Sequence, residues 1–168
     1  GSGADHWQSW WQALEPGARR VDQPDWETPD LARLAHTVAA ALQRSPTPVW
    51  LVAHSFGCLA AVVAAQRLPQ AVAGAFLVAP ADPDIFEVAD ALPQETLPFP
   101  VVVVGSSNDP WITLMKAGYW AHRWGGRLVG IGPAGHINVE SGYGPWIEGR
   151  VLFQEAVRSQ DAWPGGDL

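Results

Sequence analysis

A serine, an aspartate and a histidine, each in a loop that follows an apolar run, are the residues of this chain best placed to do chemistry. Ser55 stands in Ala53-His54-Ser55-Phe56-Gly57, between the apolar run 49–53 and a long apolar segment with helix-forming character. That order describes a nucleophile elbow, a sharp strand-to-helix turn that holds a hydroxyl exposed above a sheet. The turn is tight, so the residues two before and two after the serine must be small. Here they are Ala53 and Gly57, one methyl group away from the Gly-x-Ser-x-Gly pattern. A plainer reading makes Ser55 the N-cap of a buried helix.

A serine hydroxyl is a weak nucleophile at neutral pH and needs a base, and the base needs an orienting acid. In a parallel sheet such groups sit at the carboxyl ends of strands. Asp109 follows the apolar run 101–104 in Gly105-Ser106-Ser107-Asn108-Asp109-Pro110, and His136 follows the run 128–131 in Gly132-Pro133-Ala134-Gly135-His136. Serine, acid and histidine thus appear in the chain order that an elbow serine requires. Asp82, with Asp84 in the same loop, is the reserve acid. His54 adjoins the nucleophile, where side chains turn away from the serine, and takes a structural role. His6, His36 and His122 fall on helical segments with surface or packing roles, and Glu140 reads as a surface charge. Neither His54 nor His136 has a Cys or carboxylate at metal-ligand spacing.

Acyl transfer also needs N–H donors for the developing oxyanion. Phe56, directly after the serine, supplies one. The glycine-rich start of the chain is the candidate for the second, at Gly1 or Ser2. Trp111 and Trp146 are candidates to wall an acyl pocket, against the plainer reading of core packing.

The positioning elements follow from periodicity and breakers. A helix is predicted over 5–14, with tryptophans at 7, 10 and 11, and a short strand over 20–23 closed by Pro24. Thr28-Pro29-Asp30, with the Thr28 hydroxyl as cap, opens a helix whose stripe is Leu31, Leu34, Ala35, Val38 and Leu42. The elbow strand 49–53 and helix 56–68 come next, then a strand over 72–79 and an acidic, proline-flanked excursion over 84–97. The unbroken β-branched run 99–104 reads as a strand buried on both faces. A helix over 111–124, a strand over 127–131 and a helix over 145–158 complete the pattern. Strands alternating with helices predict an α/β three-layer sandwich, a mostly parallel sheet with helices on both faces and no large cap. Residues 1–160 read as one domain and 161–168 as a frayed tail.

Composition narrows the partners. The chain has 168 residues and a net charge of −7, with no basic run that would favour nucleic acid. No apolar stretch reaches the length of a membrane span. The lone Cys58 excludes an intrachain disulfide, which fits a cytoplasmic setting. Lysine occurs once, at Lys116, against nine arginines.

With these residues placed, the chain resembles the small serine hydrolases of the retinoblastoma-binding-protein-nine and YdeN type, compact α/β-hydrolases. The matching segments are 1–8, 23–26, Ala53-His54-Ser55-Phe56-Gly57-Cys58, Asn108-Asp109-Pro110 and Gly135-His136-Ile137-Asn138. The resemblance implies a lidless fold without metal or cofactor, with Ser55 as nucleophile, Asp109 as acid and His136 as base. Members of that family carry a short apolar strand before the Gly-Ser-Gly loop. This chain begins inside the loop, so the first strand is expected to be missing and the chain reads as part of a longer one.

The function expected is hydrolysis of small carboxylic esters through an acyl-serine, with thioesters and amides open to the same mechanism. A small acyl compound is the expected partner, not nucleic acid or membrane. A non-catalytic or regulatory binding protein on the same scaffold is the alternative, since fold alone does not license activity. An acyltransferase is a weaker third reading, because no acceptor site is visible.

Overall fold

A computed structural model describes residues 2–159 apart from Pro24 and Trp26. The tail predicted over 161–168 lies outside the described residues. Four strands, β1 (Val49–Ser55), β2 (Val72–Pro80), β3 (Val101–Gly105) and β4 (Arg127–Gly130), form a parallel sheet in the order β1-β2-β3-β4. Among the described residues five α-helices surround it: α1 (Trp7–Leu14), α2 (Leu31–Gln43), α3 (Phe56–Arg67), α4 (Leu114–Arg123) and α5 (Ile147–Arg158). Among the described residues no strand precedes β1, which forms one edge of the sheet and is mostly half-buried, whereas β3 is buried throughout.

Alternation along the strands divides the core into two layers. Ala75 and Leu77 of β2, with Val101 and Val103 of β3, face α2, α3 and α4. Phe76, Val78, Val102 and Val104 face the opposite way, towards Trp7 and Trp11 of α1 and Leu152 and Phe153 of α5. Helix α3 is alanine-rich and buried along most of its length, which lets it lie close to the sheet and to α2. The second layer is aromatic: Trp11 stacks on Trp146 and Phe153, with ring centroids 5.6 and 6.0 Å apart. Each large ring buries more apolar area here than a small side chain could.

Several predicted boundaries move. Residues 20–23 form no strand: Arg20 is turned to Ser9 Oγ and Gln12 Oε1, and the Gln23 amide donates to the Leu34 carbonyl, so this stretch is tied to helices. Helix α2 is capped by Asp30, whose carboxylate accepts from Arg33 N at 3.0 Å, and not by the Thr28 hydroxyl. Helix α4 starts later than predicted, behind a Thr113 cap, because Asp109 to Ile112 form the loop that carries the acid. The 84–97 excursion holds only a single short turn of 3-10 helix at Ala89–Ala91.

Candidate active site

Strand β1 passes into α3 with no intervening residue, and the junction is Ser55. Its backbone has φ 54° and ψ −129°, a conformation that costs a non-glycine residue roughly 1–3 kcal/mol and persists where surrounding structure enforces it. Ser55 makes no side-chain capping bond, so it does not act as the helix cap of the plainer reading. Its Oγ instead lies 2.9 Å from His136 Nε2.

His136 Nδ1 lies 3.1 and 3.0 Å from the two oxygens of Asp109, whose side chain is fully enclosed. The structure therefore brings Ser55, His136 and Asp109 into one hydrogen-bonded chain, drawn from the ends of β1, β4 and β3. With the Asp109 carboxylate accepting from Nδ1–H, Nε2 presents its lone pair to the serine hydroxyl. The reserve acids lie elsewhere: Asp82 pairs with Lys116 Nζ at 2.6 Å, and Asp84 pairs with the same ammonium.

The acid and histidine loops are sewn together. Asn108 Oδ1 accepts from Ser106 Oγ at 2.9 Å and from Gly135 N at 2.7 Å. Ser106 Oγ accepts from Ala134 N, and Ser107 N donates to the Gly132 carbonyl. On the far side, His136 N donates to Ser141 Oγ, which donates to Asn138 Oδ1. Ile137 adopts φ 50°, rare for a β-branched residue, and its carbonyl accepts from Trp7 Nε1 at 3.0 Å. Sequence reasoning missed these supports. The one signal available was the position of Asn108 directly before the acid.

His54 does have a structural role. Its Nε2–H donates to the His136 carbonyl at 2.8 Å, which anchors the base from behind. Burial holds its pKa down to about 3, against the upward pull of the His136 carbonyl, and the neighbouring His136 and His6 lower it by smaller amounts. His6 is buried too, and burial followed by the Arg20 charge lowers it to about 4. Both imidazoles are therefore neutral beside the base. Cys58 is enclosed in α3, and burial pushes its thiol far up, which makes it unreactive.

An open pocket of about 330 Å³ lies over Ser55, lined by Gly3, His6, His54, Phe56, His136, Asn138, Val139 and Glu140. Of the residues expected to hold the oxyanion, Phe56 reaches it. Gly1 lies outside the described residues, and Ser2 is not part of the lining: its Oγ is turned to Gln8 Oε1 at 2.6 Å. Gly3 occupies the pocket wall in its place. Trp111 stands half-exposed with its ring 6.4 Å from the His136 ring, at the flank of the site. Trp146 is a correction. It is a core residue with a left-handed backbone at the start of α5, and its indole is buried against Trp7, Trp11 and Tyr143. Glu140 lies on the rim of the pocket, while His36 and His122 are exposed on α2 and α4. Among the described residues no three His, Cys, Asp or Glu side chains converge to hold a metal, and no helix is long and apolar enough to cross a membrane.

A parallel sheet with an elbow serine and convergent histidine and aspartate loops defines an α/β-hydrolase. The serine hydrolase family profile matches residues 1–155, and the chain belongs to that family. It is similar to a YdeN-like hydrolase from Pectobacterium atrosepticum, with 39% identity, 94% of this chain and 85% of that one covered, and a TM-score of 0.88. The ydeN gene product of B. subtilis shares 21% identity over 92% of each chain, with a TM-score of 0.73. Est1E from Butyrivibrio proteoclasticus, solved with ferulic acid bound, shares the fold at 14% identity, 81% and 71% coverage and a TM-score of 0.58. No curated protein matches the chain.

Proposed function

We propose that this hydrolase cleaves small carboxylic esters through an acyl-serine intermediate, with Ser55 as nucleophile, His136 as base and Asp109 as orienting acid. The observation that carries the reading is the chain Ser55 Oγ, His136 Nε2, His136 Nδ1 and Asp109, with contacts of 2.9 to 3.1 Å. As Ser55 Oγ attacks the acyl carbon, its proton passes to His136 Nε2. The imidazolium that forms is stabilised by Asp109, which keeps its negative charge. The carbonyl oxygen, now negative, faces the Phe56 end of α3 and the Gly3 loop, where main-chain N–H groups and the positive end of the helix dipole favour it. Collapse expels the alkoxide, which takes the proton from His136. Water, activated by the same imidazole, then releases the acid and restores Ser55.

The open pocket, with no cap over it among the described residues, supports small acyl groups, with Trp111 at the flank for an apolar portion. The test is fluorophosphonate labelling and p-nitrophenyl ester hydrolysis by wild-type and Ser55→Ala protein. Labelling at Ser55, with hydrolysis lost in the variant by about 10⁴-fold or more, is expected. A folded wild-type protein that neither labels nor hydrolyses short esters ends the catalytic reading in favour of a binding role.

A further inference from the structure

His6 sits at the N-terminus of α1, where Ser, Thr, Asp or Asn is the usual cap. It caps the helix all the same: Nδ1 accepts from Gln8 N at 3.3 Å. A lone pair on Nδ1 leaves the single ring proton of the neutral imidazole on Nε2. That N–H has no hydrogen-bond partner among the described residues, although His6 is 5% exposed. His6 lines the pocket over Ser55, whose wall it shares with Gly3 and Phe56. Its ring is held edge-on to His54 with centroids 4.9 Å apart, and Trp7 flanks it at 5.3 Å. A better cap would satisfy α1 with fewer buried atoms, so capping alone does not account for a fixed, unused donor in this place.

We propose that His6 is a further catalytic residue, whose Nε2–H donates a hydrogen bond to the acyl carbonyl oxygen as that oxygen becomes negative. The proposal rests on the ester reading above and adds a side-chain donor to the main-chain groups at Phe56 and the Gly3 loop. No proton is transferred by His6: the serine proton still goes to His136, and the oxyanion is held by a neutral imidazole. Burial and Arg20 keep His6 uncharged well below neutral pH, which suits a donor that polarises a carbonyl without protonating it.

Two variants separate this role from capping. His6→Ser keeps an acceptor for Gln8 N but is too short to reach the substrate, and His6→Gln carries an amide N–H outward. On p-nitrophenyl acetate, His6→Ser should lose about 100-fold in kcat with KM within about threefold, the scale for one oxyanion donor. His6→Gln should recover a large part of the loss. The fold-loss should be equal for p-nitrophenyl and methyl esters, because the oxyanion forms whatever the leaving group. A His6→Ser enzyme within threefold of wild type overturns the proposal, as do two variants equally slow with equally lowered melting midpoints. Inactive wild-type protein would sink the ester reading itself, whereas an active wild type with an unaffected His6→Ser removes only the role of His6.

Discussion

Stability should fall steeply on mild acidification, because two neutral imidazoles are built in behind the base. His54 and His6 are lowered to about 3 and about 4 in the folded protein, burial being the main cause for each. Unfolded, each returns to the ordinary value of about 6.5. Between these values the unfolded chain binds protons that the native state refuses, so the stability these groups contribute is complete above pH 6.5 and is lost as pH falls towards 4. The limiting slope is about 1.4 kcal/mol per pH unit for each group, so lowering the pH from 7 to 5 costs about 2 kcal/mol per imidazole. Together they account for roughly 3–4 kcal/mol, a large share of a typical domain's 5–15 kcal/mol. The assay is urea unfolding at pH 7, 6, 5.5 and 5, followed by tryptophan fluorescence, on wild-type and His54→Gln protein. The glutamine amide retains a donor for the His136 carbonyl but does not titrate, so it should flatten the slope by about half. Wild-type stability that is level from pH 7 to 5, or a His54→Gln slope equal to wild type, would refute the reasoning.

Asp109→Asn should leave the fold unchanged and lower kcat by about 10⁴, because an amide facing Nδ1 stabilises the wrong tautomer of His136; steady-state kinetics beside a circular dichroism melt check both halves. Asn108→Ala removes the acceptor shared by Ser106 Oγ and Gly135 N, so the two loops lose a common anchor. A drop in kcat of about 10- to 100-fold is expected from misplacement of the base, with KM nearly constant, as read from kcat and KM on a short ester. Gly149→Ala puts a methyl group into the Trp146 indole. Overpacking of this kind should destabilise the protein by about 1–3 kcal/mol in urea titrations while ester hydrolysis at low temperature persists.

The elbow was legible because its chemistry is local. A strand, a strained serine and a buried helix are consecutive in the chain, and their residue types announce the turn. The layering of the sheet was legible for a similar reason, since unbroken apolar strands such as Val101–Val104 have no face for water. The stretch 20–23 misled because strand-like composition says nothing about whether a neighbouring strand exists, and here helices hold it instead. Trp146 misled because an indole suits a pocket wall and a core equally well, and only its packing against Trp7 and Trp11 in the folded chain decides between them.

What the amino-acid order determined by itself is the set of groups proposed to react and the strand ends from which they project, since each depends on neighbours a few residues away. What only the tertiary structure decided is which groups meet. Asp109 engages His136 while Asp82 is taken by Lys116, and His6, far from the serine in the chain, shares its pocket. Hydrogen bonds act over about 3 Å, and the distances that matter here are set by how three loops fold back over one sheet edge.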